Sequence, residues 1–290
     1  MRLTQRAMIS AIAVSGLLVL AGCVDSGSNQ AEPDVVESVE FEAGTTMAAL
    51  SEAGTITIGT KFDQPLFGLS GPDGDPTGFD VEIGKLIAAE LGISADNINW
   101  VETVSANREP FIQSGEVDVV VATYTINDTR KEVISFAGPY YEAGQDLLVA
   151  AGNPEGITGP EDLADKVVCT VTGSTSEVNI REYATADVLT TDQYSSCLEP
   201  LRTGAAQAVT TDNVILAGLA EQSDGEFEVV GNPFTAEPYG IGLALDDTVF
   251  RNWINDLLES AFEDGRWAAA WESTAGTVLK TPIPPAVDRY

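Results

Sequence analysis

Val117-Asp118-Val119-Val120-Val121-Ala122-Thr123-Tyr124-Thr125-Ile126-Asn127-Asp128-Thr129-Arg130, running on as KEVISFAGPYY to Tyr141, is the stretch that decides the fold. Its first five residues are short, apolar and β-branched, with no polar residue recurring at period two. That pattern fits a strand buried on both faces, as in a parallel sheet. The apolar run then gives way to hydroxyls, amides and one arginine. Open α/β sheets bind ligands there, outside the carboxyl ends of their strands. The planar fork of an arginine matches a carboxylate bidentately. A solvated loop with a surface arginine is the competing reading of the same residues.

Working outward, the same pattern repeats. Thr55 to Gly59 alternates like a strand and is followed by Lys61-Phe62-Asp63-Gln64-Pro65-Leu66-Phe67 at its carboxyl end. Gly71 to Pro76 is a turn cluster. Asp80 has the place of a helix N-cap, and Phe79, Ile83, Leu86, Ile87 and Leu91 make one apolar helix face. A strand at Ile98 to Val101 and a helix opened by Asn107, Arg108, Glu109 and Pro110 precede Val117. The order is β-α-β-α-β, the start of an open α/β sheet. Further strands read at Asp146 to Ala150, Lys166 to Val171, Ala205 to Val209 and Tyr239 to Leu245. Asp212 follows the third of these, either as a helix N-cap or as a cation ligand. Phe250, Trp253, Ile254, Leu257, Leu258 and Phe262 form a helical core stripe, and Trp267 and Trp271 pack the end of the first lobe.

The amino terminus reads as a leader. Arg2 and Arg6 precede a short apolar run from Met8 to Leu20, and then come Leu20-Ala21-Gly22-Cys23. This resembles a lipobox, with residues 1–22 removed and Cys23 lipidated; an ordinary secretory signal is the alternative. Either way the protein is exported. Residues 23–49 are rich in acids and small polar residues, and read as a disordered tether. About 240 residues remain, enough for two compact lobes.

The chain holds 45 acidic and 14 basic residues, a net charge of −31. Losing Arg2 and Arg6 with the leader leaves 12 basic residues and a net charge of −33. Such a chain is a poor partner for nucleic acid or anionic lipid heads. It has no histidine, which excludes Ser-His-Asp and Cys-His catalysis and the usual zinc sites. No metal site and no cofactor are expected. Besides Cys23 only Cys169 and Cys197 are present. Export and a single remaining pair point to a disulfide, with two free buried thiols as the alternative. The missing histidine also predicts binding that varies little between about pH 6 and 8, with a buried carboxylate of raised pKa as the exception.

ATYTINDTRKEVISFAGPYY resembles the central signature of the bacterial extracellular solute-binding proteins, family 3, which serve ABC importers. Gly78 to Ile83 resembles the family's GFDVD helix start, while Cys169 to Thr175 and Ala208 to Asp212 resemble its second-lobe elements. The likeness runs over nearly all of residues 50–275 and is strongest to the glutamate-binding lipoprotein subgroup. It implies a two-lobed periplasmic-binding-protein fold of type II, with a ligand cleft between lobe 1 (50–143 and 239–290) and lobe 2 (144–238). It also implies a monomer that meets a free amino acid, a membrane permease and its ATPase. The lipid on Cys23 would hold it at the outer face of the cell membrane.

Position by position, the resemblance implies that Arg130 grips the α-carboxylate and that Thr125 touches both α-groups. The Thr123 carbonyl takes the ammonium, Thr175 donates from the second lobe, and Asp212 pairs with the ammonium. Phe67, or Phe62, is expected as an apolar wall. Two positions depart from the glutamine binders: Val171 stands where some have lysine, and Ser105 where several have an aromatic. Among scarce cations, Lys61 and Arg108 fall in segments that converge on Arg130. A ligand with a second carboxylate needs a further cation, because an unpaired buried carboxylate is costly. Arg108 is the first candidate and Lys61 the second. The expected ligand is therefore an acidic amino acid, L-glutamate before L-aspartate and L-glutamine. A sensor module for a receptor partner and a cyclohexadienyl-dehydratase-like enzyme on the same fold are the alternatives.

Overall fold

A computed structural model describes residues 32–290 apart from 38, 72, 73 and 184–186. The leader and Cys23 lie outside the described residues. In chain order the first part forms α1 (Thr46–Ala53), β1 (Ile56–Thr60), a small sheet of β2 (Asp63–Gln64), β3 (Gly68–Ser70) and β4 (Pro76–Thr77), α2 (Phe79–Glu90), β5 (Ile98–Glu102), α3 (Arg108–Ser114), β6 (Val119–Val120), α4 (Asp128–Lys131) and β7 (Ser135–Ala143). The chain crosses at Gly144 into β8 (Gln145–Ala150), β9 (Val167–Val171), α5 (Thr175–Ile180), β10 (Asp187–Thr191), α6 (Leu198–Thr203), β11 (Ala208–Asp212), α7 (Asn213–Glu221) and β12 (Phe227–Val229). It returns through β13 (Glu237–Leu243) to α8 (Thr248–Asp264) and α9 (Arg266–Glu272).

Two five-stranded sheets share one plan. Lobe 1 runs β5-β1-β6-β13-β7 and lobe 2 runs β10-β9-β11-β8-β12. In each, four strands run parallel and the fourth in order, β13 or β8, runs antiparallel to both its neighbours. The Val117 run is a central strand of lobe 1, with Val119 and Val120 beside Ile58 and Gly59 on one edge and Leu243 and Gly242 on the other. Neighbours on both edges and helices on both faces explain its unbroken valines.

The lobe-1 core is aromatic. Phe79, Tyr141, Trp267 and Trp271 interlock, with Tyr141 and Trp271 stacked at 5.0 Å. Phe250, Ile254, Leu257 and Leu258 of α8 are buried against the same cluster. The lobe-2 core gathers around Cys169 and Cys197, which are bonded to one another across 28 residues with their Cα atoms 5.6 Å apart.

Two expectations change here. The tether is not free over all of residues 23–49. Val36 N–H donates to the Ala89 carbonyl, and the Phe41 ring packs edge-on against Trp253 at 5.9 Å. Thr45 then caps α1, whose Met47 and Leu50 enter the core. These apolar side chains gain more by burial on lobe 1 than the segment's acidic composition suggests. Asp80 is not the N-cap of α2 either: that position belongs to Gly78, at φ 133°. Asp80 is wholly buried and points at the cleft loop instead.

Candidate functional site

The cleft is built from strand ends of both lobes. Ser105, Arg108, Thr123 and Thr125 line it from lobe 1. Ser174, Thr175, Ser176, Tyr194, Asp212 and Ile215 line it from lobe 2. The lobes touch in this structure: Arg130 Nη2 donates to the Gly173 carbonyl at 3.3 Å, and Tyr239 donates its hydroxyl proton to Asp212 Oδ2 at 2.6 Å.

The lobe-1 loop is held in place from beneath. Thr123 sits at φ 43°, a left-handed conformation that a β-branched residue adopts only under constraint. The constraint is Asp80, whose Oδ2 accepts from Thr123 N–H at 2.7 Å while its Oδ1 accepts from the Tyr140 hydroxyl at 2.6 Å. Thr123 Oγ1 donates to Gln64 Oε1 at 3.0 Å. Burial pushes the Asp80 carboxyl up to about 7, against the pull of Tyr140 and Thr123.

Three cations converge above that loop. Lys61 is 3 % exposed and its Nζ donates to Ser105 Oγ at 2.9 Å. Arg108 donates from Nε to the Ser105 carbonyl at 3.2 Å and from Nη1 to the Ala122 carbonyl at 3.3 Å. Arg130 donates to the Thr125 carbonyl at 2.7 Å and from Nε to Glu109 at 3.1 Å. The guanidinium carbons of Arg108 and Arg130 lie 4.2 and 4.9 Å from the Tyr124 ring centroid, so one aromatic face platform carries both. Among the described residues, only Arg130 of the three has a carboxylate in ion-pair contact. Burial, with Arg108 adding to it, lowers the Lys61 ammonium to about 7. Burial and Arg108 likewise lower Arg130 to about 10.

Opposite them stands Asp212, 4 % exposed. It occupies the N-cap position of α7 but makes no side-chain capping bond. One oxygen accepts from Tyr239, and the other, Oδ1, is buried with no partner among the described residues. Burial and the neighbouring Glu237 push its carboxyl up to about 7. A buried carboxylate oxygen without a donor is a strong acceptor waiting for a cation. The cleft therefore offers cations and hydroxyls on one wall and an open carboxylate on the other.

Of the expected residues, Arg108, Thr123, Thr125, Thr175 and Asp212 line the enclosed space. Lys61 lies behind Ser105, and Arg130 lies at the junction with Gly173. The expectation for Phe67 is corrected: its ring sits in the core, edge-on to Phe79 and Tyr239, and does not line the cavity. Leu66, at φ 74°, turns the chain so that the next side chain enters the interior. Phe62 lies in an outer groove with Leu69 and Glu102. Ser174, Ser176 and Tyr194 were not singled out from the sequence; the run Thr172 to Ser176 was a signal for the first two, and nothing local marks Tyr194. The expectation of weak pH dependence meets its stated exception here, buried carboxylates with raised pKa. Burial brings Lys61, Asp80 and Asp212 close to neutrality, a role histidine usually fills. Among the described residues, no cluster of three or more His, Cys, Asp or Glu side chains is placed to hold a metal ion, and no helix is long and apolar enough to cross a membrane.

Comparison with known proteins agrees with this arrangement. The glutamate-binding protein GluB of Corynebacterium efficiens is 41 % identical, over 90 % of this chain and 87 % of that protein. The ABC transporter glutamine-binding protein GlnH of Bacillus subtilis is 38 % identical, over 89 % and 93 %. Among solved structures, an ancestral arginine-binding protein bound to glutamine aligns with a TM-score of 0.71 at 34 % identity, over 76 % of this chain and 97 % of that one. The ancestral amino-acid-binding protein AncCDT-1, a precursor of cyclohexadienyl dehydratase, aligns with a TM-score of 0.73 at 30 % identity, over 79 % and 99 %. The model of one family matches residues 56–274, which span both sheets and every residue of the cleft, and the chain belongs to that family, the bacterial extracellular solute-binding proteins, family 3.

Proposed function

We propose that this protein is the substrate-binding component of an ABC importer, anchored outside the cell membrane by a lipid on Cys23. Its ligand is an acidic amino acid, L-glutamate first, then L-aspartate or L-glutamine, taken up by closure of the lobes. The observation that carries this reading is the charge of the cleft. Among the described residues, buried Lys61 and Arg108 have no carboxylate partner and Asp212 Oδ1 has no donor. Buried charges persist when they are paired. A dicarboxylic amino acid supplies an ammonium for Asp212 and, beyond the α-carboxylate at Arg130, a second carboxylate for Arg108 and Lys61. The name of GluB supports glutamate, and that of GlnH supports glutamine as the neutral alternative.

The roles follow from position. The α-ammonium meets Asp212 and the Thr123 carbonyl. The α-carboxylate meets Thr125, Thr175 and Arg130, displacing the Gly173 carbonyl from Arg130 Nη2. Arg108, backed by Lys61, reads the side-chain carboxylate. Arg108→Ala and Lys61→Ala are each expected to weaken glutamate more than glutamine, and Arg130→Ala to abolish both, by calorimetry. Equal losses for both ligands in the first two variants would remove the assignment.

A dehydratase reading draws on one observation, the Asp212 carboxyl near neutrality inside the cleft, where an acid catalyst would stand. Incubation with candidate amino acids and mass spectrometry for turnover separates the two, and the binding reading predicts none.

A further inference from the structure

The segment Gln193 to Cys197 belongs to lobe 2, and nothing in the roles above uses it. Tyr194, 4 % exposed, lines the cavity beside Asp212, and its hydroxyl lies among those of Ser174, Thr211 and Ser176. The residues on either side of it both reach across to lobe 1. Gln193 Nε2 donates to Glu102 Oε1 at 2.5 Å, and Ser195 N–H donates to Asp63 Oδ2 at 3.4 Å. Behind it, Cys197 is bonded to Cys169 of β9. Asp63 comes just after Lys61 and Glu102 just before Ser105, so both anchors sit on the lobe-1 segments that carry the Lys61–Ser105 pair. Tyr194 thus shares the cavity lining with Ser105 and Arg108, while the residues on either side of it are bonded to lobe 1.

We propose that Tyr194 is a specificity-determining residue of the binding site: its hydroxyl donates to the side-chain carboxylate of the ligand, and its ring sets the length of side chain the closed cleft admits. This rests on the reading that the ligand is an acidic amino acid. The chemistry is direct. Burial raises the phenol, so it stays protonated and a donor at neutral pH. A phenol donating to a carboxylate makes a charge-assisted bond, stronger than the same bond to an amide. Because its neighbours are bonded to lobe 1 and its own turn is tied by a disulfide, the ring withdraws from a longer ligand only if those contacts break. Forcing one methylene too many into a closely packed site costs roughly 5- to 150-fold in affinity.

Calorimetry on the full chain, with L-glutamate, L-glutamine and L-2-aminoadipate as probes, tests this with Tyr194→Phe and Tyr194→Ala. The unmutated protein is expected to prefer glutamate to aminoadipate by at least tenfold. Tyr194→Phe, which keeps the ring, should weaken glutamate about tenfold and glutamine about threefold. Tyr194→Ala should narrow the preference for glutamate over aminoadipate by tenfold or more. If glutamate binds the unmutated protein and Tyr194→Phe leaves both ligands within twofold, the hydroxyl has no such role and the proposal fails. Equal losses for glutamate and glutamine overturn the charge reading, and an unaltered length preference in Tyr194→Ala overturns the length reading. An unmutated protein that binds no glutamate overturns the acidic-ligand reading itself, whatever the variants do. Should Tyr194→Ala not fold, Tyr194→Phe alone decides the hydroxyl, and Tyr194→Leu takes the place of the alanine variant for length.

Discussion

Gly218 lies in the middle of α7 and meets Pro65 of lobe 1 where the two lobes touch. A Cβ placed on it would stand 2.5 Å from the Pro65 carbonyl oxygen and 3.1 Å from its carbon. The three nearest atoms all belong to Pro65, so within lobe 2 the methyl group meets nothing closer. Carbon–oxygen contacts settle at about 3.3 Å or more, so Gly218→Ala forces the lobes apart here by about 0.8 Å. Overpacking of this kind costs about 1–3 kcal/mol, and at about 1.4 kcal/mol per decade that is roughly a 5- to 150-fold loss of affinity. The same change removes a helix-interior glycine, which favours α7 by about 0.5–1 kcal/mol. The two effects have opposite signs. Calorimetry with L-glutamate should show the weaker binding, while thermal unfolding without ligand should show a midpoint that is equal or higher. An affinity within twofold of the parent would refute the claim that binding requires this closed contact. A parallel loss of affinity and of ligand-free stability would show damage to the fold instead.

Binding is expected to be bell-shaped in pH with its maximum near 7. Asp212, raised to about 7 by burial, is ionised above that value, so the acceptor for the ammonium is lost as pH falls through it. Lys61, lowered to about 7 by burial, is charged below that value, so its support for the side-chain carboxylate is lost as pH rises through it. Dissociation constants at pH 5.5, 7 and 8.5 check this, and a flat profile contradicts it. The Cys169–Cys197 bond closes a loop of 28 residues and should stabilise lobe 2 by about 3–4 kcal/mol in the chain-entropy model. Denaturant titration of the Cys169→Ser, Cys197→Ser double variant measures that loss. Alkylation of both thiols in unreduced protein would show the bond is absent.

The fold was legible where strand ends carry polar residues. The break from Val121 to Thr123 marks where a central strand leaves the sheet, and Thr123 and Thr125 line the cleft because of it. What escaped was set by distant partners. Phe67 follows a strand just as a cleft wall would, but the turn at Leu66 sends it inward. Tyr194 has no local pattern, because its place comes from Cys169, Asp63 and Glu102. The titration of Asp212 and Lys61 depends on burial, which no residue spacing reveals. The segment before α1 looked free because its charges are conspicuous, while Phe41, Met47 and Leu50, which hold it down, are few.

The most direct test of the central claim is calorimetry on the unmutated protein with L-glutamate, L-aspartate, L-glutamine and L-arginine at pH 7. A cleft with Lys61 and Arg108 unmatched and Asp212 open to an ammonium should bind glutamate most tightly, aspartate and glutamine more weakly, and arginine not at all. Arginine binding without glutamate binding would contradict the charge assigned to the pocket.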